Sequence, residues 1–305
     1  MTTHTTDRNE NTQIETKVYK VGEVTIARVS EKLITDFTCD FLLPDWDAAA
    51  AQKYPAWGNA TCWDAEHKHA IVSTHTWVVK TPQYTILIDT ATGNDKPRPF
   101  LASLDHLHEP YLERLAALGV TPESVGFVLL THLHVDHVGW NTKLVDGRWV
   151  PTFPNARYIF PKADSDEFSK PENSEIPSGI CYVDSVLPVI EAGLAEMVGE
   201  QGGEVLDGIS FIPTPGHCVG HMSIRLTSRG EEALFGGDLL HHPIQVYRPD
   251  WKSVFCADPE RARESREWAL NYAADHHAIY FSSHFADTSA GLVTRNAGGF
   301  EWQFI

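Results

Sequence analysis

One run of ten residues constrains this chain more than any other: Thr131-His132-Leu133-His134-Val135-Asp136-His137-Val138-Gly139-Trp140. Four side chains able to ligate a metal fall within six residues. They follow Val125-Gly126-Phe127-Val128-Leu129-Leu130, an apolar run with the length and β-branched content of a buried strand. A strand that delivers His, His, Asp and His into the loop at its end builds a metal site on an α/β scaffold. Neutral imidazoles and a carboxylate suit zinc or a similar divalent ion. The alternative is a solvated, histidine-rich loop. One isolated histidine would favour it; H-x-H-x-D-H directly after a strand matches the donor types of first-row divalent metals.

Four further stretches extend the pattern in order along the chain. Ile86-Leu87-Ile88-Asp89-Thr90 reads as a strand ending in aspartate. Thr214-Pro215-Gly216-His217 carries a lone histidine. Gly236-Gly237-Asp238 follows the apolar Ala233-Leu234-Phe235, and Ser282-Ser283-His284 follows Ala278-Ile279-Tyr280-Phe281. With these motifs the chain resembles the metallo-β-lactamase superfamily over roughly residues 18–300. The resemblance implies an α+β four-layer αββα sandwich, two mixed β-sheets face to face with helices outside. It implies that His132, His134 and His217 hold one metal, that Asp136, His137 and His284 hold a second, and that Asp238 bridges them. Asp89 then orients the ligand loop; a strand-end turn carboxylate is the plainer reading. The expected cofactors are two divalent metal ions, Zn2+ first, with Mn, Fe or Co as alternatives. Such a metal-dependent hydrolase lets a metal-bridging hydroxide attack a carbonyl of a lactone or ester, or a phosphoryl centre, with Asp136 steering the proton.

Within the superfamily, Gly237-Asp238-Leu239-Leu240-His241 followed by Pro243-Ile244-Gln245-Val246 resembles the lactonase and methyl-parathion-hydrolase-like branch. Position 241 is His where some lactonases carry a tyrosine that hydrogen-bonds the carbonyl oxygen. A histidine can donate to an oxyanion or protonate a leaving group, so His241 is a catalytic candidate beside Asp136; packing is its plainer role. Trp140, Phe160, Trp251 and Phe255 are candidates for the substrate pocket, and an aromatic lining would suit an apolar substrate. The rival activities are a glyoxalase-II-like thioesterase, a β-lactamase-like amidase and, from another class, a mononuclear-iron oxidoreductase like the persulfide dioxygenases. The H-x-E-x-D pattern of flavodiiron proteins is absent, since position 134 is His. No Gly-rich phosphate loop and no G-x-S-x-G elbow occurs.

Composition narrows the partners. A balance of 24 Lys plus Arg against 41 Asp plus Glu gives a net charge of −17. That argues against nucleic-acid or anionic-membrane binding, which needs basic patches. The expected partner is a small-molecule substrate. Cys39, Cys62, Cys181, Cys218 and Cys256 are odd in number and form no C-x-x-C pair, as expected of free thiols in a reducing, cytoplasmic setting. The start of the chain has no apolar signal-peptide core, and no apolar stretch is long enough to span a bilayer.

Residues 1–16 read as a polar, mobile tail, and residues 17–305 as one domain without a linker. Within it, residues 34–63 form an irregular aromatic excursion with a short helix near residues 45–54. It is expected to cover the metal site, to make a homodimer contact, or to pack as a satellite cluster. Strands are expected over 18–29, 70–79, 84–89, 125–130, 156–160, 204–212, 222–227, 233–235 and 278–281, the last taken as the final inner strand. Asp146-Gly147 predicts a hairpin turn. Helices are expected over 111–118, stopping at Gly119, over 162–168 and 186–196, and over 258–275 with Asp258 as N-cap and Ala262, Trp268, Ala269 and Tyr272 facing the core.

Overall fold

The computed structural model describes residues 17–54, 62–64, 66 and 68–305; the expected tail and Pro55, Trp57 and Gly58 of the excursion lie outside them. Fourteen of the strands form two sheets of seven, and in each sheet the spatial order follows the chain order. The first holds β1 (Val18–Val21), β2 (Val24–Ile34), β3 (Val72–Lys80), β4 (Thr85–Ile88), β5 (Phe127–Leu129), β6 (Arg157–Pro161) and β7 (Ala195–Val198). The second holds β8 (Gly203–Leu206), β9 (Ile209–Pro213), β10 (Met222–Ser228), β11 (Glu231–Phe235), β12 (Ile279–Phe281), β13 (Ala290–Asn296) and β14 (Gly299–Phe304).

Strand alternation sorts the side chains into layers. Trp77, Val79, Ile86, Ile88, Leu129 and Ile159 face Phe211, Ile224, Ala233, Phe235 and Phe281 between the sheets. Their neighbours Val78, Leu87, Val128 and Phe160 point the other way, onto Tyr111, Leu115, Val186 and Val189. On the far side Leu234, Tyr280 and Trp302 meet Ala269, Leu270 and Ala273 of the helix Pro259–His276. The result is helix, sheet, sheet, helix: the four-layer α+β sandwich.

Both sheets are mixed, and their parallel pairs decide where chemistry can gather. β4 and β5 are parallel, with Ile88 opposite Leu129. β11 and β12 are parallel, with Phe235 opposite Phe281. All four run toward one edge of the sandwich, so the residues just past their ends (Asp89, His132, Asp238 and His284) meet there.

Local signals account for most boundaries. Gly119 takes a φ of +68° after the helix Tyr111–Ala117, and Asp146 and Gly147, at +49° and +76°, make the tight turn between Thr142–Val145 and Arg148–Pro151. The carboxylate of Asp258 accepts from the amide of Arg261. Three expectations need correction. The helix expected over 186–196 ends at Glu191, and Ala195–Val198 is a strand parallel to β6, an edge position that leaves periodicity ambiguous. Ile279–Phe281 is not the last inner strand, because β13 lies beyond it, paired on its other side with β14. Trp268 stays on the outer face of the long helix, whose buried stripe includes Ser265 and Arg266. The Arg266 guanidinium donates to the carbonyls of Leu239, Pro249 and Trp251, which is why a charged side chain can be buried there.

Residues 34–54 form two single-turn helices, Cys39–Leu42 and Ala48–Ala51, capped by Thr38 and Asp47. They pack a separate apolar cluster with Val72, Leu104, Ile244 and Trp251. Among the described residues, no helix is long and apolar enough to cross a membrane.

Candidate metal centre

The loop after β5 is held in place before any metal is considered. Asp89, at φ +54° past the end of β4, accepts from the amide and hydroxyl of Thr131 at 2.8 and 2.9 Å and from Nδ1 of His137 at 2.8 Å. It therefore clamps both ends of the histidine loop. Gly139 lets the loop close: a Cβ there would lie 1.8 Å from the carbonyl oxygen of Thr92.

Asp238 sits at the centre. Its Oδ2 faces Nε2 of His217 at 3.2 Å and of His132 at 3.7 Å, and Nε2 of His217 lies 2.8 Å from Nδ1 of His134. Its Oδ1 faces Nε2 of His284 at 2.8 Å and of His137 at 3.0 Å. Asp136 completes this second group, with its oxygens 3.7 Å from Nε2 of His137 and 3.8 Å from Nε2 of His284. His132, His134, His217 and Asp238 thus form one set able to hold an ion, Asp136, His137 and His284 another, and Asp238, His241 and His284 a third that overlaps both.

The outer nitrogens are engaged in ways that turn the inner ones toward the centre. Nδ1 of His132 meets the Thr131 hydroxyl, and Nδ1 of His284 donates to the carbonyl of Ser73. Meanwhile Nε2 of His132, Nε2 of His137 and Oδ1 of Asp238 are buried and have no hydrogen-bond partner outside this cluster. Buried polar atoms are normally satisfied, so these converging orphans fit divalent cations. The charge state differs across the centre. Burial, then neighbouring histidines, push His132 well below its ordinary range. Burial does the same to His217. Burial would raise Asp238, but His284, His137, His217 and His132 outweigh it and hold the carboxyl well below the usual range. Burial would lower His137 and His284 as well, but Asp238 outweighs it and holds both imidazoles above their ordinary range. A cation binding here would displace their protons, while His132 and His217 are already in the neutral form that binds a metal.

Residues without a sequence signal complete the scaffold. His221 accepts from the amide of Asp238 at 2.9 Å through Nε2 and donates to the carbonyl of Thr214 through Nδ1. Asp164 accepts from the amides of Leu133 and Gly220 and from the thiol of Cys218, tying the loops of two ligand histidines together. The only hint of His221 in the sequence is its place four residues after His217; Asp164 lies unmarked in a helical stretch.

His241 is buried, with Nε2 3.3 Å from Oδ2 of Asp238 and its ring stacked on His284. Apart from that carboxylate, neither ring nitrogen has a hydrogen-bond partner. By contrast, His242 is fixed between the carbonyl of Cys62 and the amide of Ile244.

A cavity of about 400 Å³ opens onto the centre, and His134, Asp136, His217, Asp238, His241 and His284 form its floor. Phe37, Phe41, Leu101, Leu104, Val135 and Phe255 are among its walls, and it has no Lys or Arg among its described lining residues. Of the four aromatic residues expected here, only Phe255 lines it. Trp140 is buried, stacked on Tyr111 at 4.7 Å with its indole donating to Glu31. Phe160 lies under the helices in the outer core. Trp251 packs in the satellite cluster beside Trp46.

An αββα sandwich whose parallel strand ends deliver this His and Asp set defines a metal-dependent hydrolase. The chain belongs to the metallo-beta-lactamase superfamily, whose family model matches residues 71–284. It is similar to the probable metallo-hydrolase YybB of Bacillus subtilis (strain 168), at 24% identity over 187 residues, 59% of this chain and 70% of that one. It is also similar to the uncharacterized protein YobT of the same organism, at 30% over 122 residues, 36% and 44% of the two chains. Among solved structures, the hydrolase AbOPH of the beta lactamase superfamily superposes with a TM-score of 0.78 at 24% identity, covering 95% of this chain and 97% of that one. The dizinc quorum-quenching lactonase AidC superposes at 0.74 and 23%, covering 95% and 98%.

Proposed function

We propose that this protein is a dinuclear metal hydrolase that opens small neutral lactones or cleaves esters carrying an apolar group. One observation carries the reading: the two oxygens of Asp238 face two separate sets of ligand atoms. In this reading His132, His134 and His217 hold one ion, Asp136, His137 and His284 hold the other, and Asp238 bridges. Imidazole and carboxylate donors favour zinc, with Mn, Fe or Co as alternatives. The ions would supply Lewis acidity and an activated water at neutral pH.

The remaining tasks fall to the protein. Asp136 is the most exposed of the ligand carboxylates and can take a proton on the cleft side. His241 has a free ring nitrogen at the cavity floor and can donate to an oxygen that gains charge. The phenyl and aliphatic walls suit an apolar substituent, and the lack of a Lys or Arg among the described lining residues disfavours substrates that carry carboxylates, such as β-lactams or glutathione thioesters. AidC, a dizinc lactonase solved with an acyl-homoserine product, supports the lactone reading.

The test is a metal count on purified protein with lactone, aryl ester, thioester, phosphotriester and β-lactam substrates, alongside oxygen uptake. Two ions per chain with lactone or ester turnover is the expected result. One iron with substrate-dependent oxygen consumption would overturn the proposal.

A further inference from the structure

The cavity has an outer wall built from two segments far apart in sequence. Phe100, Leu101 and Leu104 come from the loop before the helix Tyr111–Ala117, and Pro177 and Ser178 from the start of the helix Pro177–Cys181. Neither segment belongs to a sheet, so strand pairing does not position them. A buried ionic cluster joins them instead. Arg98 is fully buried, and its guanidinium donates to both oxygens of Asp184 at 2.7 and 2.9 Å. Asp184 lies in a wide π-turn, Tyr182–Val186, directly after Pro177–Cys181.

The cluster reaches further. Lys96, also fully buried, lies over the Trp149 ring at 3.7 Å and donates to the Thr142 hydroxyl at 2.8 Å. That hydroxyl donates to the backbone carbonyl of Asp184. The loop is then closed on itself: the amide of Arg98 donates to Asp105, that of Leu101 to the carbonyl of Arg98, and that of His106 to the carbonyl of Lys96. Thr142 directly follows the turn Gly139–Asn141 at the end of the metal loop. Both wall segments are therefore referenced to the metal loop through Asp184, whose carboxylate takes Arg98 and whose backbone carbonyl takes Thr142.

Two cations against one carboxylate are costly to bury, and apolar side chains of similar volume often stabilise a core as well or better. Burial, with the Arg98 charge alongside, pushes Lys96 down to about 8 despite Asp184. What the cluster supplies, and greasy packing would not, is a directional two-pronged lock between segments that no sheet aligns.

We propose that Arg98 and Asp184 are positioning residues: their lock sets the distance between the outer wall and the metal floor, and so the length of apolar group the enzyme accepts. The proposal rests on the ester and lactone reading of the cavity. Its test uses the metal-loaded protein with 4-nitrophenyl esters from acetate to octanoate, and reads hydrogen exchange of the residue 98–106 amides in parallel. Arg98→Lys keeps the charge and loses the fork. Asp105→Ala opens the same loop at an exposed carboxylate, so it serves where Arg98→Lys fails to fold.

Exchange over residues 98–106 is expected to quicken at least about tenfold, with metal content unchanged. The KM ratio of octanoate to acetate is expected to change about tenfold, the scale of one or two methylenes in a pocket, with kcat for acetate held. Unchanged exchange in a folded variant, or KM shifted equally for every ester, overturns the proposal. If the parent protein turns over neither these esters nor lactones of matched chain length, the hydrolase reading fails, and the exchange result still decides whether the lock holds the wall.

Discussion

Asp238 and His221 share a hydrogen bond of 2.9 Å from the backbone amide of the first to Nε2 of the second. The contact fixes the central carboxylate from behind, because Gly237 leaves the backbone no slack. Gly237 has a φ of +56°, and a Cβ on it would lie 2.5 Å from Nε2 of His221. Replacing His221 by Ala removes that acceptor and leaves a buried amide unpaired. Metal affinity is expected to fall about 10- to 100-fold, as when other groups that orient ligands are lost. Competition with a fluorescent chelator measures it.

Removing the metal is expected to destabilise the fold itself, since the ligand atoms converge from both sheets. An ion at roughly a thousand times its Kd contributes about 4 kcal/mol. At roughly 2 °C per kcal/mol for a large domain, each ion lost lowers the midpoint by about 8 °C. Thermal scans with and without a strong chelator read this, and an unchanged midpoint would show that the sandwich stands without the ions.

Glu31 is the acceptor for four donors: Oε1 for Gly93 N and Trp140 Nε1, Oε2 for Thr92 N and the Thr74 hydroxyl. Glu31→Gln has no good orientation, because either flip aims an NH2 at two donors. Stability is expected to fall by about 2–4 kcal/mol, the cost of stranding buried polar groups. Urea denaturation followed by tryptophan fluorescence checks the size.

Phe255 and Trp251 are four residues apart and should respond differently. Phe255 lines the cavity, while Trp251 is buried in the satellite cluster. Phe255→Ala is expected to raise KM for apolar esters about tenfold, equivalent to about 1.4 kcal/mol of lost contact. Trp251→Phe is expected to leave KM unchanged and lower stability by about 1–3 kcal/mol through the gap it leaves. Steady-state kinetics and thermal scans on both variants separate the roles.

The layered fold and the convergence at one edge were legible because each ligand-bearing loop carries its own local signature. An apolar strand ends, and a histidine or aspartate follows three residues on, as after Leu129, Phe235 and Phe281. The C-terminal hairpin was not legible in the same way. Arg295 and Asn296 stand exposed on β13, so no apolar run marks where that strand ends.

The cavity walls were hidden for a different reason. Trp140 is adjacent to the ligand motif, yet its indole belongs to Glu31, 109 residues away. Of the wall residues, Phe37 and Phe41 belong to the aromatic excursion expected to cover the metal site, whereas Leu101 and Leu104 have nothing in their neighbourhoods to mark them. The sequence alone determined which side chains could ligate a metal and that they sit at strand ends, because residue type and strand periodicity are local properties. Tertiary structure decided which atoms face Asp238, what holds it, and what shape of substrate the floor can meet. Those depend on pairings such as Arg98 with Asp184 and His221 with Asp238, which exist only once the two sheets and their loops have packed.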